Sequence, residues 1–306
     1  MPSLKQLRYL VALDDHRSFR RAAEACHVTQ PTLSAQLKEL ELKLGGGLVE
    51  RSRHHVIVTP LGRQICERAR RVLREVDEIA ALAQMAQRPL QSTIRIGVVQ
   101  TLGSYMLPLI VPDLHDSHPA LKLYMREGLA DYLLRGLGDG ALDLLFLPLP
   151  VQGAGMATMP LFREPIAVVM PHDHPFAACD AVAPDQLRGE TILSLEPGHR
   201  LYEQVRRLCD EYGAELSRDY EGTSLDTLRQ MVAMGMGLSL MPALYVKSEV
   251  AHQDIVVARP FRGTPPARTV GMVWRQGTAR QDEFRELAAL IRTILKDRAP
   301  EIVVLG

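Results

Sequence analysis

The chain has 306 residues, 46% of them hydrophobic, which allows two or three domains of about 100–200 residues, each able to bury a core without disulfide or metal staples. Its longest apolar runs fall short of the ~18 residues of a membrane span, its start MPSLKQLRYLVALDDH carries acidic residues where a signal peptide would have its apolar core, and its four cysteines (Cys26, Cys66, Cys179, Cys209) lack CxxC spacing. A soluble, cytoplasmic chain without metal or cofactor is therefore expected, and the balance of 36 Lys+Arg against 36 Asp+Glu hides an asymmetry: residues 1–88 hold 15 and 10, the remainder 21 and 26.

The first 45 residues read as three short helices. Leu4, Leu7, Leu10, Val11 and Leu13 recur at helical spacing up to the polar stretch 14–17. Ser18 is placed to cap a helix over Phe19–Ala25, and a turn at Cys26-His27-Val28 follows. Thr29-Gln30-Pro31 then opens a third helix, with Pro31 in the first turn and Leu33, Leu37, Leu40 and Leu44 as its expected buried face. Gly45-Gly46-Gly47 ends it, and LVERSRHHVIVTP has the alternation of a small hairpin or wing around a basic turn.

From Pro60 to about Gln87 the pattern is helical, with an apolar seam of Leu61, Ile65, Ala69, Val72, Val76, Ile79 and Leu82. At ~1.5 Å per residue that helix is about 40 Å long, and a second copy is the natural cover for its seam. Beyond Pro89 strand-like TIRIGVV, LKLYMRE, LDLLFLP, IAVVMP, TILSL, LSLMP, IVVARP and TVGMVW alternate with helical stretches at 104–117, 130–138, 201–212, 225–234 and 279–297. This alternation predicts an α/β region of mostly parallel sheets, long enough for two subdomains with a cleft between them.

Residues 18–44 thus have the form helix, turn, helix, in which the start of the second helix meets base edges in the major groove. Thr29, Gln30, Pro31, Thr32, Ser34 and Gln36 lie on that helix or at its cap, and glutamine pairs bidentately with adenine. Arg51, Arg53 and His54 on the wing would meet phosphates or the minor groove. A two-helix corner of an ordinary bundle has the same pattern.

The segment RSFRRAAEACHVTQPTLSAQLKELELKLGGGLVERSRHHVIVTPLG resembles the winged helix-turn-helix of LysR-type transcriptional regulators, and the helix after Pro60 resembles their dimerising linker. Residues 89–306 resemble their periplasmic-binding-protein-like effector domain. Within the family, LRYLVAL, FRRAA, CHVTQPTLS, LEPGHRLYEQVRRLCDEYGA and TSLDTLRQMVAMGMGLSLMPAL resemble the peroxide-sensing OxyR branch. The resemblance implies a winged helix-turn-helix over 1–60, a linker helix over 61–88 and an effector domain over 89–306. Subdomain I would take 89–163 and 269–306, and subdomain II 164–268. It also implies a homotetramer built as a dimer of dimers on a palindromic operator, recruitment of RNA polymerase, and a small-molecule or redox signal.

OxyR proteins carry a reactive cysteine just after a Gly-His pair and a resolving cysteine nine residues later. Here Gly198-His199 is followed by Arg200, while Cys209 holds the resolving position, so that the usual disulfide cannot form. Ala130 and Asp219 stand where a threonine and a histidine are expected; Thr101, Thr223 and Arg268 match. Three readings stay open: Arg200 serves a cleft for a small anion, Arg200 locks one state, or Cys209 reacts through an intermolecular disulfide or thiol capping. Against the last stands the plain reading of Cys209 as a buried, inert thiol; His199 reads equally as a cleft residue or an ordinary hydrogen-bonded histidine. No GxSxG, P-loop, GxGxxG or metal cluster points to an enzyme, and a solute-binding protein would lack the helix-turn-helix.

Overall fold

The computed structural model describes residues 1–51, 56–85, 90–151, 153, 155–251 and 255–306, with the backbone alone for Arg51, Glu78 and 80–85. The described chain falls into two compact units, one of residues 1–87 with 139–141, the other of 88–138 with 142–306.

In the first unit α1 (Leu4–His16), α2 (Phe19–Ala25) and α3 (Gln30–Leu44) precede the hairpin of β1 (Val49–Arg51) and β2 (Val56–Val58). Local chemistry sets their limits. Ser3 and Gln6 form a capping box on α1, Ser18 caps α2, and Thr29 caps α3 with Pro31 in the first turn, while Gly45 ends α3 at φ +69°. Tyr9, Leu10, Leu13, Ala22, Ala23, Leu33, Leu37 and Leu40 make the core, with Leu48 and Val58 from the wing. Leu44 corrects the expectation: at the last turn of α3 it is exposed, because Gly45 turns the chain away before that face meets a neighbour.

Helix α4 (Pro60–Met85) follows. Gly62 is required in its first turn, since a Cβ there would lie 2.2 Å from the Leu48 carbonyl oxygen. Cys66 is fully buried, its thiol 3.8 Å from the Leu10 carbonyl, and burial pushes its pKa up to about 12. Arg70 donates to Asp14 at 2.9 Å and to Asp15 at 2.6 Å, fixing α4 on α1. Leu61, Val72 and Ile79 stay 43%, 44% and 66% exposed.

The second unit opens with β3 (Thr93–Val99), α5 (Gly103–Ser117), β4 (Lys122–Gly128), α6 (Ala130–Gly138), β5 (Leu144–Leu149) and the fifteen-residue β6 (Met156–Met170). Next come β7 (Thr191–Leu195), α7 (Arg200–Tyr212), β8 (Glu215–Gly222), α8 (Leu225–Ala233), β9 (Leu238–Pro242) and the short α9 (Ala243–Tyr245), extended by a π-turn over Val246–Val250. It closes with β10 (Val257–Pro260), β11 (Ala267–Arg275), α10 (Gln281–Arg298) and β12 (Val303–Val304).

The strand order is β4-β3-β5-β11-β6-β9-β7-β8, with β10 and β12 also on β6. Each half contains parallel strands, β4-β3-β5 and β9-β7-β8, but every pairing of β6 or β11 is antiparallel. That corrects the expected predominance of parallel pairing. Alternation of helices and strands says nothing about β6, which crosses from one half to the other, or about β11, which brings the chain back beside it. Two apolar cores result, one under β3, β5, α5 and α10, the other under β7, β9, α7 and α8, and Tyr105 packs against both. Trp274, the single tryptophan, lies in the first core at 2% exposure, tilted against Phe284 at 5.9 Å; its indole N–H has no partner among the described residues. No described helix is long and apolar enough to cross a membrane.

Candidate nucleic-acid interface and effector cleft

The start of α3 presents Thr29, Gln30, Pro31 and Thr32 to solvent, while Ser34 and Gln36 are half-buried. The Thr29 hydroxyl accepts from the Thr32 N–H at 3.4 Å and shares a 2.8 Å hydrogen bond with the Thr32 hydroxyl. This leaves a rigid polar turn at the positive end of a fifteen-residue helix, the geometry that meets phosphates and base edges.

Gln36 is differently employed. Its side-chain oxygen accepts from Gln6 Nε2 at 3.3 Å and its amide donates to Glu39 at 3.1 Å, so it braces α3 against α1. Gln6, buried and also accepting from Lys43 Nζ at 3.4 Å, is a residue the sequence reading passed over, although the Ser3-x-x-Gln6 spacing carried its signal. Of the two wing arginines, Arg51 ends β1 with its side chain outside the described residues, and Arg53, like His54, lies outside them altogether.

In the second unit two of the expected cleft residues meet directly. Arg268, 4% exposed on β11, donates from Nη1 to the Thr101 hydroxyl and from Nη2 to the Thr101 carbonyl, both at 2.8 Å, and from Nε to Glu164 at 2.8 Å. The other Glu164 oxygen accepts from the Leu244 N–H at 2.9 Å. Every nitrogen of this guanidinium is thereby occupied, and the buried charge is both paired and hydrogen-bonded. Glu164 had no sequence signal, because its partner is 104 residues away.

A second joint was also missed. The Tyr105 ring meets the fully buried Tyr245 edge-on at 5.0 Å, and the Tyr245 hydroxyl accepts from Arg229 and donates to Asp226, both at 3.1 Å.

The remaining residues are spread out. Ala130 is buried at the start of α6, and Thr223 is exposed just before Ser224, which caps α8. His199, 6% exposed, precedes α7 without capping it, 3.9 Å from Glu196, and burial holds its imidazole below the ordinary histidine value. Arg200 is the first residue of α7, half-buried, and lines a cavity of about 440 Å³ with Gln204, Arg207, Thr269 and Pro148–Pro150; Arg268 borders it too. Thr101, Ala130, His199 and Thr223 are not in that lining.

Cys209 faces the opposite way, into the core with Leu201, Val205 and Leu208. Burial, then the Asp210 carboxylate, raises its thiol to about 11. Positions 200 and 209 are nine residues apart on one intact helix, about 13 Å at the α-helical rise, whereas a disulfide needs Cα atoms within about 7 Å.

Residues 4–63 match the bacterial regulatory helix-turn-helix protein of the lysR family, and residues 87–296 match the LysR substrate binding domain. The chain belongs to the LysR family. This LysR-type chain is 41% identical over 290 residues to the DNA-binding transcriptional dual regulator OxyR of Escherichia coli K12, covering 95% of each. It is 40% identical over 290 residues to the hydrogen peroxide-inducible genes activator of Pectobacterium carotovorum, with 95% of this chain and 96% of the relative covered. A full-length OxyR variant from Pseudomonas aeruginosa superposes with a TM-score of 0.79 at 38% identity, over 95% of this chain and 94% of that one. A hydrogen peroxide-bound OxyR mutant from Corynebacterium glutamicum gives 0.69 at 29% identity, over 98% and 95%. The LysR-type regulator described here is thus a transcriptional regulator closely resembling OxyR, with arginine at position 200.

Proposed function

We propose that this regulator reads a palindromic operator in double-stranded DNA with the first turn of α3, and takes its signal from a small-molecule effector rather than from an intrachain disulfide. The observation that carries the second part is the side chain at position 200. A guanidinium forms no sulfenic acid, Arg200 opens onto a cavity whose lining includes Gln204, Arg207 and Thr269, and the only thiol on the same helix is buried with its pKa raised. Control through Cys209 alone is the second reading, and the same burial weighs against it.

The working division is residues 1–60 for DNA binding, 61–88 for the linker and 89–306 for effector binding, with subdomain I over 89–163 and 269–306 and subdomain II over 164–268. Pairing of α4 with a second copy would cover Leu61, Val72 and Ile79, apolar groups that a single chain leaves exposed. A dimer of dimers in the cytoplasm, passing its state to RNA polymerase and catalysing no reaction, completes the proposal.

The test is Arg200→Cys. DNA footprints of parent and variant on one operator are compared with and without peroxide. The parent footprint is expected to be indifferent to peroxide; a parent footprint that shifts as fully as that of the variant would remove the proposal.

A further inference from the structure

From the geometry of α7 we infer that the Arg200 cavity is a subsite for a small dicarboxylate, gripped at its two ends by Arg200 and Arg207. The inference rests on the effector reading above and gives it a ligand class. Arg200, Gln204 and Arg207 lie at i, i+4 and i+7 on α7, hence on one face, and all three line the cavity. Seven residues at the helical rise separate the two arginines by about 10 Å along the axis. Two long side chains converging from that distance match two carboxylates on one small molecule, with the Gln204 amide between them.

The charges present are not already spent on one another. The Arg200 side chain has neither an ion-pair nor a hydrogen-bond partner among the described residues. Arg207 donates from Nε to the Glu203 carbonyl at 3.2 Å, which leaves its two terminal nitrogens for a bidentate carboxylate contact. Glu203, the acid in the lining, is held by Arg206 at 3.0 Å, and each nitrogen of Arg268 already donates to Glu164 or Thr101. A cation at the first position of α7 also opposes the helix dipole, and no side chain caps that end. An anion beside Arg200 relieves both. The volume of about 440 Å³ lies in the range of small-ligand pockets.

The test is isothermal titration of the full chain with glutarate, adipate, butyrate and inorganic phosphate. Glutarate or adipate should bind saturably, with butyrate and phosphate weaker by about tenfold or more. Arg200→Gln and Arg207→Gln should each cost about tenfold in dicarboxylate affinity without lowering the melting temperature, while Arg218→Gln, on β8 and outside the cavity lining, should bind like the parent. Butyrate or phosphate binding as tightly as both diacids, no saturable binding of either diacid, or unchanged affinity in Arg200→Gln would each overturn the inference. A footprint run with glutarate or adipate separates the two layers. Binding with an unchanged footprint keeps the subsite and removes its regulatory role, whereas a peroxide-shifted parent footprint counts against the effector reading and not against the heats.

Discussion

Glu164 on β6 and Arg268 on β11 are direct cross-strand partners, joined at 2.8 Å with side chains 0% and 2% exposed. Strand β6 runs through both halves of the effector domain and β11 lies beside it in the first; through Arg268 the pair holds Thr101, at the turn before α5, while through Glu164 it holds the Leu244 backbone. One buried ion pair therefore fixes β6, β11, the start of α5 and the start of α9 in a single hydrogen-bonded unit.

Breaking this pair from one side leaves an uncompensated buried charge. Glu164→Ala or Arg268→Met is expected to cost about 3–5 kcal/mol in urea unfolding, whereas the double variant Glu164→Leu with Arg268→Met should be markedly more stable than either. A double variant as unstable as the sum of the two singles would show that the charges are not coupled.

The cysteines should divide by burial. In the folded chain at pH 8, iodoacetamide should leave Cys66 and Cys209 unmodified, because their thiols are buried and pushed to about 12 and about 11, while the half-exposed Cys26 and Cys179 react first. Peptide mass spectrometry after a timed quench reads the order. Early alkylation of Cys209 would reopen thiol control at that position.

His199 gives the effector domain an acid-sensitive term. Burial lowers its folded pKa below the ordinary value of about 6.5, with Glu196 opposing the shift. The unfolded chain then takes up a proton first, so this contribution is full above pH 6.5 and declines as the pH falls toward the folded value. His199→Asn should flatten that part of a stability profile measured by urea titration between pH 7.5 and 5. Identical slopes in parent and variant would assign the acid loss elsewhere.

On the DNA side, Gln30→Ala should weaken operator binding more than binding to random duplex in a gel shift, as expected for base readout. Thr29→Ala should act on both, since it removes the α3 cap and about 1 kcal/mol of helix stability. Equal losses on both DNAs for Gln30→Ala would count against base reading by this turn.

The helix-turn-helix was legible because its signals are local. Ser18, Thr29, Pro31 and Gly45 act within a few residues of themselves, and the structure places the second and third helices where those residues put them. Strand β8 was not legible: ELSRDYEG sits at the sheet edge, largely exposed, with Ser217 to Tyr220 outside the ladder, so no face is required to be apolar. Glu164 was hidden for a different reason. A glutamate in LFREPIAVV reads as a surface interruption of a strand, and only the register with β11 turns it into a buried anchor. The position-200 arginine lay between these cases. Its identity was plain in the sequence, whereas its lack of a side-chain partner among the described residues and its place on a cavity wall depend on how α7 is seated.

The single tryptophan gives each molecule one indole emitter, and its place fixes what that emitter observes. Trp274 sits in the core beneath β3, β5 and α10, against Phe284, whereas the helix-turn-helix unit carries only tyrosine among the stronger aromatic chromophores. Excitation at the red edge therefore times the opening of one half of the effector domain alone, while far-ultraviolet dichroism, dominated by helices, registers the DNA-binding unit as well. Where the two signals part company during denaturation, the interval between them measures how independently the sensing and reading parts of the chain come undone.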